Sequence, residues 1–192
     1  MKIGLLREVE HAESTPVDFK FIESVVRPIL PKIHMINHES LKSNPDLAKD
    51  VMKGDDAVCI LMTVLHHSQP TNIRHWTCLF KGPHGYVFFD SLNLNLKKLY
   101  ALTGEENKLL YALRHTKFEQ SHTALQKMIS KQKYCGTAVS CRLRYTHMTN
   151  TQFERHILSY DRSSPGKTMT LMTLFHYRDQ REYEKGDKYL VK

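Results

Sequence analysis

From about residue 56 onwards, the chain is rich in the apolar, β-branched and aromatic residues that are typical of strands. Residues 58–65 form a nearly continuous apolar run, which predicts a central strand, and residues 74–80 and 86–90 predict two more. The sequence Gly-Pro-His-Gly at 82–85 is typical of a tight hairpin turn between the last two. We therefore expect three adjacent strands in one sheet.

Helical spacing of apolar residues dominates on both sides of these strands, so we predict an α+β fold with a mixed central β-sheet flanked by helices. The other predicted strands lie at 2–6, at the edge of the sheet, and at 33–36 and 117–125. Predicted helices lie at 16–26, with Thr15 as the cap and Pro16 as the first residue, after the start signal at 43–46, and at 94–102 and 105–113. Three more helices begin at Cys135, at Gln152 within a capping box of Thr151 and Glu154, and at Pro165.

The length of the chain limits the number of domains, and its apolar runs and cysteines indicate the cellular setting. With 192 residues, 41% of them hydrophobic, it is long enough for one buried core and short for two, so we expect a single domain at 1–192. The longest apolar run is too short to cross a bilayer, and the N-terminus lacks the apolar region of a signal peptide. Four cysteines without C-x-x-C spacing are typical of a reducing compartment. We expect a soluble, monomeric protein without disulfide bonds or membrane attachment.

Positive charge is concentrated in the last third of the chain. The net charge is +8; residues 1–126 hold 15 Lys and Arg against 14 Asp and Glu, whereas residues 127–192 hold 13 against 6. This asymmetry indicates a basic face for DNA or for an acidic partner. The alternative is a solvated surface that keeps the protein soluble, because no nucleic-acid motif accompanies the charge.

Cys135 is the first candidate for chemistry. A cysteine in the first turn of a helix lies at the positive end of the helix dipole, which favours the thiolate at neutral pH. Gly136 lets another backbone or a substrate approach the sulfur, because glycine has no Cβ. The alternative is that Cys135 is a small buried hydrophobic residue, which is the more common role of a cysteine chosen at random.

A base and an acid stand upstream in positions where they can serve this thiol. The predicted hairpin folds Asp90 back toward His75, so the carboxylate can orient the imidazole. If the helix of Cys135 packs on this sheet, thiol and imidazole can form the pair that cysteine nucleophiles use. A Gln just upstream and the backbone N–H of Cys135 would stabilise an oxyanion. The alternatives are a core histidine for His75 and a turn cap for Asp90.

These residues resemble four signatures of one protease family. His75-Trp76, the stretch Val-Phe-Phe-Asp-Ser-Leu at 87–92, a Gln and Cys135-Gly136 are similar, in this order, to the His-Trp, aromatic-aromatic-acid, Gln and Cys-Gly signatures of the adenovirus maturation protease and the SUMO-specific proteases, the adenain family. Residues 118–126 resemble the strand that delivers the oxyanion Gln, and 95–100 the helix after the acid. The resemblance covers about residues 56 to 146.

The resemblance implies a papain-like fold with the nucleophile at the N-terminus of the central helix, and Trp76 and Gly136 as substrate-binding residues. Gln126 lies nine residues before the Cys and Gln132 only three, whereas the family places its Gln between these spacings. We prefer Gln126, because its predicted strand matches the family and the extra residues fit into the loop that follows. Gln132 remains the alternative.

The compact chain is most similar to the maturation proteases of virophages of the Mavirus type. This implies an endopeptidase that cleaves viral capsid precursor proteins in the host cytoplasm, at the viral factory, and in the virion. The adenoviral enzyme is stimulated by DNA and by a viral peptide, and stimulation of this protein by either one is a hypothesis. The alternatives are a SUMO or ubiquitin protease or an acetyltransferase with the same triad, and a non-catalytic basic protein of the virion core. We expect no cofactor, and no metal either, because the histidines and cysteines lack paired ligand spacing.

Overall fold

A computed structural model describes residues 17–66, 69–103, 108–126 and 134–190 of the chain. The predicted edge strand at 2–6, the predicted helix start at Thr15 and Pro16, and the alternative Gln132 lie outside these residues.

Five strands form one mixed sheet in the order β1-β2-β3-β4-β5. The outer pairs, β1 with β2 and β4 with β5, are parallel, and the two inner pairs are antiparallel. The predicted α+β class, with a mixed sheet flanked by helices, is therefore confirmed. The strands are β1 Ile33–Asn37, β2 Ala57–His66, β3 Gln69–Gly82, β4 Gly85–Phe89 and β5 Phe118–Glu119.

The hairpin between β3 and β4 turns at residues 82–85, as predicted, and its connection has two residues. Gly82 pairs with Gly85, so Pro83 and His84 make the connection. Gly85 has a φ of 135°, and a Cβ there would lie 2.6 Å from the carbonyl oxygen of Lys117 on the neighbouring segment. Glycine is therefore required at this position both by its dihedral angle and by the close approach of the next strand.

The predicted strand at 117–125 is much shorter in the structure, because only Phe118–Glu119 pairs with β4. Beyond Glu119 the backbone binds elsewhere. His122 and Thr123 donate their N–H groups to the carboxylate of Glu154, while residues 125 and 126 donate theirs to the carbonyl of Ser91. These partners satisfy the backbone outside the sheet, so the strand prediction is wrong for the segment that contains Gln126.

Six α-helices are described, and at least three of them begin at residues that differ from the prediction. The described α-helices are α1 Phe19–Val26, α2 Leu96–Thr103, α3 Lys108–Leu113, α4 Cys135–Arg144, α5 Asn150–Tyr160 and α6 Pro165–Leu190. A π-helix at Leu47–Met52 follows the start signal at 43–46, and a short 3₁₀-helix at His38–Ser40 follows β1.

The start of α1 is set by Asp18 and not by Thr15 and Pro16. The Asp18 carboxylate accepts the backbone N–H of Phe21, which is the usual bond of an N-cap side chain. The helix then buries Ile22, Val25 and Val26 in the hydrophobic core on one face of the sheet, as the helical spacing predicts.

The capping box of α5 also lies two residues earlier than predicted. Thr149 accepts the N–H of Gln152, and the Gln152 side chain accepts the N–H of Thr149. Glu154, which was expected to complete a box with Thr151, is buried and binds the loop after β5. Thr149 with Gln152 and Thr151 with Glu154 both fit the sequence pattern of a capping box. The second pair does not form one, because the Glu154 carboxylate binds the loop after β5.

The sheet has a hydrophobic core on each face. One core contains residues of α1, α4, α5 and α6, and the other contains residues of α2, α3 and the π-helix. Within the first core, α4 contacts β3, α1 and α6. Residues 136–143 of α4 are all buried, which makes it the central helix of this layer and fixes the position of its first residue.

Candidate active site

Cys135 is the first residue of α4, as predicted, and it is half-buried. The imidazole of His75 and the backbone N–H groups of Trp76 and Gly136 lower the pKa of its thiol. The positive end of the helix dipole and these N–H groups stabilise negative charge at the sulfur. The surroundings of Cys135 are therefore those of a thiolate nucleophile.

His75 lies on β3 and is 6% exposed. It pairs with Met62 of β2, next to a register shift between Thr63 and Leu65. Its Nε2 lies 2.6 Å from Oδ1 of Asp90. Since Asp90 occupies Nε2, the other ring nitrogen, Nδ1, is the one left for the thiol of Cys135. A register shift such as the one between Thr63 and Leu65 is typical of a β-bulge, and β-bulges are frequent beside active sites, where they redirect a side chain.

Asp90 follows the last residue of β4 and is fully buried. Besides His75, its carboxylate accepts the N–H groups of Leu92 and Leu94, and its own N–H donates to the hydroxyl of Ser121. Asp90 thus caps the turn after β4, as one interpretation predicted, and binds the imidazole at the same time; its catalytic role stays a prediction. The turn fixes the carboxylate before any substrate is bound.

Charge and hydrogen bonding determine the protonation of the pair. Burial by itself would lower the pKa of His75, but the negative charge and the hydrogen bond of Asp90, together with the bond to Cys135, raise the pKa to about 10. Burial by itself would raise the pKa of Cys135, but the hydrogen bond and charge of His75 and the two backbone N–H groups bring the pKa below its ordinary value of 9.0. Both shifts favour a thiolate-imidazolium pair.

The other three cysteines lie in a different environment. Cys59, Cys78 and Cys141 are at most 1% exposed and lie in the core. Burial raises the pKa of Cys78 and of Cys141 to about 12, and that of Cys59 well above its ordinary value. Among the four thiols of the chain, only Cys135 has its pKa lowered, so it is the one suited to nucleophilic chemistry.

Gln126 lies in the loop after β5 and is held beside Asp90 through the next residue, Ser91. The hydroxyl of Ser91 donates to Oε1 of Gln126 at 2.9 Å. The carbonyl of Ser91 accepts the N–H groups of Leu125 and Gln126 at 2.8 and 2.9 Å. Sequence reasoning missed Ser91; its place directly after the candidate acid was the only signal. The oxyanion role of Gln126 stays a prediction.

Trp76 and Gly136 share a neighbour that the sequence did not indicate. The indole N–H of Trp76 donates to the carbonyl of Val17 at 2.8 Å, and a Cβ at Gly136 would lie 2.6 Å from Cβ of Val17. Glycine at 136 therefore accommodates Val17 of the same chain. Trp76 is 6% exposed and belongs to the core beside α4. The predicted substrate-binding roles of these two residues stay predictions.

A buried cation supports the strand that leads to Asp90. Arg142 of α4 is fully buried between the rings of Phe80 and Phe153 and donates from Nε to Oδ1 of Asn150. Asn150 in turn donates to the carbonyl of Phe88, two residues before the acid. This chain of contacts connects the helix of the nucleophile with the strand of the acid.

The contacts of two arginines change the interpretation of the basic last third. Arg142 lies inside the core, and Arg144 donates to the carbonyl of Val25 on α1. Lys127, Lys131 and Lys133, which precede the nucleophile, lie outside the described residues. Two of the 13 positive charges of this region therefore stabilise the fold, and a DNA-binding face stays a prediction.

Within the described part of the chain, no group of three or more His, Cys, Asp or Glu side chains is arranged to hold a metal ion. None of the helices described here is long and apolar enough to span a membrane. Comparison with protein-family models finds no family that matches the chain, and comparison with curated proteins finds no significant match.

Proposed function

We propose that the protein is a cysteine endopeptidase of papain-like, adenain-type fold, with Cys135 as the nucleophile, His75 as the general base and acid, and Asp90 as the residue that orients His75. The observation that carries the proposal is the buried hydrogen bond between His75 and Asp90, together with a thiol at the N-terminus of a buried helix whose pKa the same imidazole lowers. This arrangement is the one that activates a thiol for attack on a carbonyl.

The reaction begins when His75 holds the proton of the Cys135 thiol. The sulfur attacks the carbonyl carbon of the scissile bond, a C–S bond forms, and the carbonyl electron pair moves onto oxygen. The backbone N–H of Cys135 and the side-chain amide of Gln126 donate to this oxyanion. When the C–N bond breaks, His75 gives its proton to the leaving amine, so the first half of the reaction ends with a thioester.

Water then completes the cycle. His75, again neutral, takes a proton from water while the water oxygen attacks the thioester, and His75 returns that proton to the sulfur as the C–S bond breaks. Asp90 stabilises the imidazolium in both halves, because its charge favours the protonated ring.

The proposed substrates are capsid precursor proteins that are cleaved during virion maturation, in the host cytoplasm at the viral factory and in the virion. This part of the proposal is supported by the resemblance of the His75-Trp76, Asp90, Gln126 and Cys135-Gly136 positions to the adenain family. A SUMO or ubiquitin protease, or an acetyltransferase, would use the same triad and differ in its substrate.

The decisive experiment incubates the wild-type protein and a Cys135→Ala variant with candidate capsid proteins and identifies the new termini by mass spectrometry. We expect cleavage by the wild type only. Cys141→Ala is the matched control, because it removes another thiol of the same helix. The pKa of that thiol is raised to about 12 by burial. Cleavage by Cys135→Ala would contradict the nucleophile. A wild type that cuts SUMO or ubiquitin conjugates but no capsid protein would favour the alternative substrate class.

A further inference from the structure

The turn after β4 presents two adjacent residues to two different parts of the candidate site. Asp90 binds His75, and Ser91, which is also fully buried, binds Gln126. The Ser91 carbonyl receives two backbone N–H groups of the Gln126 loop, and its hydroxyl donates to the side chain. One short segment of chain therefore positions both the imidazole and the amide.

The direction of the Ser91 bond has a chemical consequence for the amide. A glutamine side chain ends in an oxygen that accepts and an NH₂ group that donates, and an oxyanion can be stabilised only by the NH₂ group. Because the Ser91 hydroxyl donates to Oε1, the oxygen is already engaged, and Nε2 is the end left to donate. The bond thus selects the orientation of the amide that the proposed reaction requires.

We propose that Ser91 is a positioning residue that fixes the amide of Gln126 with its NH₂ group toward the reacting carbonyl oxygen. The inference rests on the proposed function, since it concerns the oxyanion of that reaction. Without the hydroxyl, the amide rotates about its last torsion, and its oxygen faces the oxyanion in part of the population. The loop keeps the two backbone bonds to the Ser91 carbonyl, so the loss concerns the side chain.

The same turn has a second attachment to this loop. The backbone N–H of Asp90 donates to the hydroxyl of Ser121, five residues before Gln126. The loop is therefore attached at both of its ends to the peptide units of Asp90 and Ser91. This arrangement restrains the amide although it lies in a loop, as an oxyanion donor would require.

The test uses p-nitrophenyl acetate as an acyl substrate and iodoacetamide as a probe of the Cys135 thiolate. Removal of a whole oxyanion donor costs about 10²–10³ in kcat, so we expect this loss for Gln126→Ala and a smaller loss of about tenfold for Ser91→Ala, with little change in KM. In the double variant, Ser91→Ala should add nothing to Gln126→Ala. Alkylation of Cys135 should keep its wild-type rate in all of them, because the contacts of His75 and Asp90 are intact.

Two further variants keep the test independent of folding defects. Gln126→Glu retains an oxygen acceptor for Ser91 but has no N–H donor, so we expect a wild-type melting temperature and the kcat loss of Gln126→Ala. Thr168→Val is the matched control, since it removes another buried hydroxyl that donates to a carbonyl, here that of Ser164 just before α6, far from this loop in the sequence. It should leave kcat unchanged.

Three outcomes would overturn the inference. Wild-type kcat in Ser91→Ala would remove the positioning role, and so would kcat losses that multiply in the double variant. Wild-type kcat in Gln126→Glu would show that no N–H donation from this side chain is needed. If the wild type itself releases no p-nitrophenol, the proposed function fails and the inference fails with it, which distinguishes this case from the first three.

Discussion

A carboxylate oxygen of Asp90 lies 2.6 Å from Nε2 of His75, where the two side chains are only 0% and 8% exposed. Little water competes for this bond, so the charge of Asp90 acts on the imidazole almost undiminished. The backbone N–H groups of Leu92 and Leu94 hold the same carboxylate from the other side. The orientation of the candidate base is therefore built into the turn after β4.

Replacement of Asp90 by Asn should leave the fold largely intact and lower kcat by about 10³–10⁴, because a neutral amide neither stabilises the imidazolium nor enforces the correct tautomer of His75. The measurement is kcat of hydrolysis by the purified variant. Asp161→Asn is the control, since Asp161 also caps a turn, through Ser163, but is exposed. A wild-type kcat in Asp90→Asn would contradict the role of the acid.

The reactivity of Cys135 should depend on pH as the shifted pKa values require. As the pH falls through the pKa of Cys135, which lies below 9.0, the thiolate takes up a proton and alkylation slows. As the pH rises through about 10, the imidazolium of His75 is lost, and the ion pair with it. Alkylation by iodoacetamide, followed at Cys135 by mass spectrometry over a pH series, checks both limbs.

In His75→Ala the same titration should move upward. Burial then acts on the thiol without the hydrogen bond and charge of the imidazole, so the pKa of Cys135 should exceed its wild-type value. Cys59, Cys78 and Cys141 serve as internal controls and should stay unreactive in both proteins, since all three are buried. An unchanged titration in His75→Ala would show that His75 does not set the thiolate.

Gly136→Ala should destabilise the protein through Val17. The new Cβ would lie 2.6 Å from Cβ of Val17, so one backbone must move, and overpacking of this kind costs about 1–3 kcal/mol. Urea unfolding measures the loss. Val17→Gly removes the opposing Cβ, so the double variant should lose less stability than the two single losses combined. Additive losses would mean that the contact is not responsible.

Arg142→Met should be strongly destabilising although it removes a buried charge. Two acceptors, Oδ1 of Asn150 and the carbonyl of Met148, lose their donor, and each unsatisfied group costs about 1–3 kcal/mol; the carbonyl of Tyr145 loses one of its two donors and keeps the N–H of Met148. Thermal unfolding checks this, with the exposed Arg155→Met as the control. A melting temperature equal to that of the wild type would show that the packing of Met compensates for the lost bonds.

The parts of the site that could be predicted depend on contacts that are near in sequence. His75 and Asp90 are joined by a hairpin whose turn residues are visible in the chain, and they are only 15 residues apart. The start of α4 at Cys135 follows from a change in local pattern. Strand and turn chemistry act over a few residues, and such signals are present in the sequence itself.

Local patterns were insufficient where two of them competed. Thr149 with Gln152 and Thr151 with Glu154 both fit a capping box, and the choice was made by the loop after β5, which takes the Glu154 carboxylate. In the same way, residues 120–125 were predicted to continue a strand, but β4 ends at Phe89 and the Ser91 carbonyl receives the N–H groups of Leu125 and Gln126. In each case a hydrogen bond between residues 31 to 35 positions apart, Thr123 with Glu154 or Ser91 with Gln126, outweighed the structure that the local sequence favours.

The sequence by itself determined four of the five described strands, the hairpin and the order of a histidine, an acid and a cysteine, because each follows from the periodicity or turn chemistry of neighbouring residues. Only the tertiary structure decided that Val17 fills the space beside Gly136 and Trp76, which are 119 and 59 residues away, and that Ser91 holds Gln126. Such pairs have no periodic signature. They form because burial of the common core brings distant segments together, and their hydrogen bonds then fix the atoms.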